Sequence, residues 1–196
     1  LQLFADIAYT VVGKGVYRSA RMNSYRLMRT EINMSYHKAN ASRWANEPFV
    51  YGIRVWRSPQ HPEEDICDEL EGYYPKDFVF SGWHPACLCA SAPLTLYGDE
   101  KRDFYRRLMK GEDMSNFHSK HEITKENMNP NWWKYVDDNH DAILKAAERG
   151  KLAYHLRDNQ SYWIDKFSDE ERKRMGLVPL SDKERIKQIA AARHAA

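Results

Sequence analysis

The chain has 196 residues, 42% of them hydrophobic and 30% charged, with 30 basic and 28 acidic side chains and a formal net charge of +2. That mixture excludes a disordered polymer, and no apolar run reaches the roughly 20 residues of a spanning helix. Charge this balanced gives no bulk argument for nucleic-acid binding. The opening residues, Leu1-Gln2-Leu3-Phe4-Ala5-Asp6, lack the basic start and cleavage site of an export signal, so a soluble intracellular domain is expected. Because the chain starts at Leu1 rather than Met, and its last helical pattern still runs at Ala196, it reads as a piece of something longer.

Gly13 and Gly15 break the chain ahead of a long helix over Ser19 to Trp44. Met22, Tyr25, Met28, Ile32, Tyr36 and Ala39 recur there in steps of three and four, and this stripe is expected to be the packing face. Arg18, Arg21, Arg26 and Arg29 make the helix locally basic, either as a solvated face or as a contact for phosphate or an acidic partner. Pro48 ends the helix. Phe49 to Arg57 is rich in β-branched and aromatic residues and reads as a strand. A short helix over Glu63 to Leu70 stops at Gly72, and an irregular stretch begins at Tyr73. Cys87 to Leu96 is a second strand, placed at a sheet edge by Pro93.

Beyond Gly98 the pattern turns helical. Asp99 to Lys110 presents Phe104 and Leu108 on one face, about twenty polar residues follow as a linker, and Asn129 to Arg149 suggests a helix pair. Ser168 with Glu171, and Ser181 with Glu184, have capping-box spacing and start two more helices. Trp132, Trp133, Tyr154, Tyr162 and Trp163 are either a binding surface or an ordinary aromatic core.

Three cysteines are an odd number and a poor disulfide framework. In Trp83-His84-Pro85-Ala86-Cys87-Leu88-Cys89, an extended Cys87–Cys89 segment would aim both thiols to one face, and a turn at Pro85 would bring His84 beside them. Cys67 completes a candidate Cys3His metal set of Cys67, His84, Cys87 and Cys89, with His61 and Asp65 as alternates to Cys67. The competing reading is three buried thiols and a histidine that hydrogen-bonds a turn.

Arg29-Thr30-Glu31, then Ser58-Pro59-Gln60-His61-Pro62, Asp65-Ile66-Cys67-Asp68 and Gly72, then Trp83-His84-Pro85-x-Cys87-x-Cys89, resemble the phage Mu F-like, or head morphogenesis, domain of minor head proteins. The resemblance covers residues 13–97 and leaves 98–196 as a helical extension. It implies an α+β fold: a long amphipathic helix packed on a small antiparallel sheet with Cys/His-organised loops. It further implies a minor capsid component of a tailed phage or prophage, not an enzyme, acting at the portal vertex in head assembly or in DNA packaging and ejection. Its partners would be the portal protein, other head proteins and DNA, with no membrane, first in the host bacterial cytoplasm and then in the virion head. Arg29, Thr30, Glu31, His61, Gly72, Trp83 and Pro85 are the motif positions, and zinc would be structural. Two features depart from the family. Leu88 stands where it usually has Arg, and Glu64 stands where a Cys-x-x-Cys variant would start. Two other functions compete: a metal-dependent nuclease using His84 or His61 to activate water, and an ADP-ribosyltransferase-like toxin suggested by Glu69-Leu70-Glu71.

Overall fold

A computed structural model describes residues 19–59 and 64–176. Gly13, Gly15, Arg18, His61, and the Ser181/Glu184 capping box lie outside the described residues. The order is helix α1 (Ala20–Ala45), strand β1 (Val50–Trp56), helix α2 (Ile66–Glu69), strands β2 (Gly72–Tyr74) and β3 (Ala90–Thr95), then helices α3 (Gly98–Met109), α4 (Pro130–Asp138), α5 (His140–Glu148), α6 (Tyr154–Arg157), α7 (Gln160–Trp163) and α8 (Asp169–Arg174). The fold is α+β. Packing divides the chain into two units, Leu1–Trp133 and Lys134–Ala196, a later break than the one expected after Tyr97. No helix among the described residues is long and apolar enough to cross a membrane.

In the first unit a three-stranded antiparallel sheet has the order β2-β1-β3. Pro93, which has no N–H to donate, sits on edge strand β3 opposite Ile53, as its chemistry requires. Val50, Ile53 and Val55 are buried on β1 while Arg54 points to solvent over the Tyr73 ring. Each such buried side chain contributes about 1.5–3 kcal/mol. Tyr74, Phe78, Phe80, Trp83 and Trp132 pack ring against ring around them, with centroids 4.5 Å apart for Tyr74–Phe78 and 5.0 Å for Phe78–Trp132. A second cluster joins Leu96, Phe104 and Met114 with Phe49, Tyr51 and Phe117.

Three expectations are corrected here. The stripe Met22, Tyr25, Met28, Ile32 and Tyr36 does not pack: these residues are 46% to 64% exposed, while His37 and Ala41 are the buried positions of α1. The inward face is polar, because it meets backbone groups of the Cys87 loop that need hydrogen-bond partners. Tyr73 and Tyr74 are not irregular but form β2 with Gly72, paired to Ile53–Val55. The stretch after Gly111 is not a detached linker: Met114 and Met128 are buried, Ile123 N–H donates to the Tyr51 carbonyl at 2.9 Å, and Asn129 N–H donates to Tyr73 at 2.9 Å. Two glycines admit this return. A Cβ on Gly52 would stand 2.6 Å from Ile123 Cγ1, and one on Gly72 would stand 2.8 Å from the Asn129 amide nitrogen. Leu108, expected beside Phe104, is 46% exposed.

The second unit is helical in its described residues. Val136, Ile143, Leu144, Leu156, Tyr162, Trp163, Phe167 and Met175 form its buried set. Trp163 Nε1–H donates to the Leu156 carbonyl at 2.8 Å, so its polar edge is satisfied where its body is buried. Ser168 and Glu171 form the expected capping box at α8, each satisfying a backbone N–H of the other. Tyr162 and Trp163 are core here, as Trp132 is in the first unit; Tyr154 is half-buried, and so is Trp133, with the Lys125 ammonium over its ring.

Candidate metal centre

Two short structures deliver the cysteines and histidine. Asp65 caps α2: one carboxylate oxygen accepts from Cys67 N–H at 2.6 Å while the Asp68 carboxylate reaches back to Asp65 N–H, so Cys67 is fixed in the first turn. His84-Pro85-Ala86-Cys87 is a β-turn closed by Cys87 N–H to the His84 carbonyl at 3.1 Å. Pro85 presets its first central position, and Ala86 takes φ +62°, where glycine is usual. A non-glycine residue there costs roughly 1–2 kcal/mol.

That strained turn is clamped by α1. Thr30 Oγ1 accepts from Ala86 N–H at 2.9 Å and donates to the Arg26 carbonyl at 2.7 Å. Asn33 Nδ2 donates to the Cys87 carbonyl at 3.2 Å. One turn further, His37 Nδ1 lies 3.1 Å from Ser91 Oγ. Burial lowers the His37 pKa, against a hydrogen bond to the Cys89 backbone that works to raise it. Thr30, Asn33 and His37 follow each other at steps of three and four, which is the polar stripe that sequence reading passed over in favour of the apolar one.

The result brings Cys67, His84 and Cys87 together with all ligand atoms within 4.8 Å of one another, a group that could hold a metal ion. Cys67 Sγ lies 3.1 Å from His84 Nε2 and 3.7 Å from Cys87 Sγ. Cys89, the fourth expected ligand, falls outside that group of three, though its thiol interacts with both others. All three cysteines are buried and none is in a disulfide. On the His84 ring, Nδ1 stands 2.9 Å from the Pro85 carbonyl, while Nε2 faces both the Cys67 thiol at 3.1 Å and the Asp65 carboxylate; a metal-ligating tautomer would keep its proton on Nδ1.

The thiols are not equivalent. Hydrogen bonds from Cys67 and then Cys89 hold Cys87 far below the usual thiol range, with backbone bonds at Trp83 and Cys89 adding to this. Cys67 is pushed up, first because its proton is engaged on Cys87. At Cys89 the contact with Cys67 favours the thiolate, but the Cys87 contact and burial outweigh it and push the group up to about 12.

Of the other expected positions, Asp65 stands beside the group, with Oδ2 3.2 Å from His84 Nε2. Trp83 lies under it in the aromatic core, and Pro85 is exposed on the turn. Gly72 serves elsewhere, making room for Asn129. Arg29 and Glu31 are exposed and make no hydrogen bond or ion pair among the described residues. Glu71 accepts from Arg57 N–H at 3.3 Å. No family model matches the chain, and neither a curated protein nor a solved structure is similar to it.

Proposed function

We propose that the chain is a structural component of a tailed-phage head, of the Mu F-like kind, acting at the portal vertex, and that its Cys/His corner holds a structural zinc. One observation carries this reading. Three of the segments that resemble the family meet at one corner, with Thr30 on the turn of His84 to Cys87 and Cys67 against both ends of that turn.

The donor set fits zinc. Two thiolates at about 2.3 Å from a tetrahedral ion lie about 3.8 Å apart, and Cys67 and Cys87 stand at 3.7 Å. His84 would supply a third position through Nε2, and the fourth falls to Cys89, which would have to close on the group, or to Asp65, whose carboxylate stands beside that same nitrogen. Zinc bound by four protein groups leaves no place for a reactive water, so it would serve folding and not hydrolysis. Here the ion would tie α2 to the 83–89 loop, segments that bury little apolar area between them.

Two measurements on the purified chain test the reading. Elemental analysis is expected to give near-stoichiometric zinc that is lost in Cys87→Ser, and folded metal-free protein would remove the zinc. Coexpression with the portal protein of the same genome is expected to give a stable complex. Two components that stay apart would remove the head assignment, whatever the metal result.

A further inference from the structure

Among the described residues, the outward face of α1 carries a row of exposed apolar side chains. With 3.6 residues per turn, Met22, Tyr25, Met28, Ile32 and Tyr36 fall within an arc of roughly 120°, a strip about 21 Å long. The neighbouring arc, with Thr30, Asn33 and His37 and centred roughly 110° round the helix, is the one that holds the Cys87 loop. The apolar strip is thus turned to solvent by construction, since the helix cannot roll to bury it without giving up those hydrogen bonds.

We propose that this strip is the docking surface for an amphipathic helix of another protein whose apolar stripe is flanked by acidic residues. Charge selects that partner. Arg21, Arg29 and Arg43 fall on the same arc as the strip, while Glu31, the one acid of α1, falls outside it. Arg21 is already organised there: its guanidinium donates to the Tyr25 hydroxyl at 3.2 Å and lies 5.4 Å from the ring centre. A second copy of the chain would bring arginine against arginine, so self-pairing is disfavoured. Composition separates a protein from a lipid surface. The strip is built from Met, Tyr, Ile and Arg, the types enriched in protein interfaces, and carries none of the Trp, Phe or Lys that mark helices lying on a membrane. The surface exists whether or not the chain builds a phage head, and it gives Arg29 a role that the inward contacts do not.

The test uses the full 196-residue chain and two synthetic helical peptides with leucine at every core position, one flanked by glutamate and one by lysine, read by fluorescence anisotropy at low salt. The glutamate peptide is expected to bind and the lysine peptide not. Ile32→Glu should weaken binding about tenfold or more. Arg29→Glu should lose the glutamate peptide and gain the lysine one. All these positions are exposed, so circular dichroism should be unchanged; Tyr36→Ala replaces Ile32→Glu if that variant misfolds. Equal binding of both peptides, or binding indifferent to Ile32 and Tyr36, overturns the proposal. So does a sedimenting dimer that Ile32→Glu dissociates, or recruitment to phosphatidylserine vesicles that depends on the same residues.

Discussion

The Cys/His corner and the second unit bury their chains by different means. Around Cys67, His84 and Cys87, order comes from hydrogen bonds: Thr30 and Asn33 on backbone groups, Asp65 on Cys67 N–H, and thiols on one another. In the second unit it comes from rings and aliphatic side chains, with Trp163 and Phe167 at 5.3 Å and His140 stacked on Phe167 at 4.2 Å. Hydrogen bonds are directional and individually worth about 1 kcal/mol net, so the corner is precise but weak alone. Apolar burial is strong and tolerant of small displacements. The proposed zinc would reinforce the first arrangement at its weakest point.

Chelation should separate the two regions most sharply. Removing zinc, or replacing Cys87 by Ser, is expected to destabilise the first unit by on the order of 5 kcal/mol. Hydrogen exchange should then show lost protection over residues 83–91 and none lost over residues 140–175; equal loss in both would break the contrast. Trp163→Ala is the reciprocal experiment. Truncating a fully buried tryptophan costs about 3–5 kcal/mol, and the thermal transition should fall while zinc content stays constant.

Gly72→Ala sharpens the comparison within the first unit. The new methyl would meet the Asn129 side chain, so a loss of about 1–3 kcal/mol in denaturant unfolding is expected. Ser168→Ala should be mildest, near 1 kcal/mol for a lost cap. It also has a pH signature. The Ser168 backbone N–H, then its hydroxyl, holds the Glu171 carboxyl below the usual carboxylate range. A carboxylate depressed in the folded state stabilises above its unfolded pKa of about 4.3, and that contribution disappears as pH falls through the folded value. Melting curves of the two forms should therefore differ most at pH 7 and draw closer, without merging, near pH 3, because the bond from Glu171 N–H to Ser168 Oγ does not titrate.

Much of this was legible in the sequence because it rests on local rules. Pro93 named an edge strand by its missing donor, Ser168 and Glu171 named a helix start, and the spacing of His84 and Cys87 named neighbours. The inward face of α1 was not legible. Apolar periodicity assumes that a helix buries its oiliest side, whereas α1 rests on a loop of exposed backbone groups that only Thr30, Asn33 and His37 can satisfy. Strand β2 was hidden for a related reason: three residues are too few for an alternating pattern, and Asn129, which borders it, comes 55 residues after Tyr74.

That border has a consequence for aggregation. Short sheets are at risk from strand addition at their open edges. Here Asn129 occupies the outer side of β2, with its N–H on Tyr73 and its amide on the Glu71 carbonyl at 2.9 Å, and Pro93 interrupts the outer side of β3. Neither edge offers a clean template for another chain. Polymerisation through the sheet is discouraged on both sides, so helical surfaces such as the outward face of α1 are the better-suited route into a larger assembly.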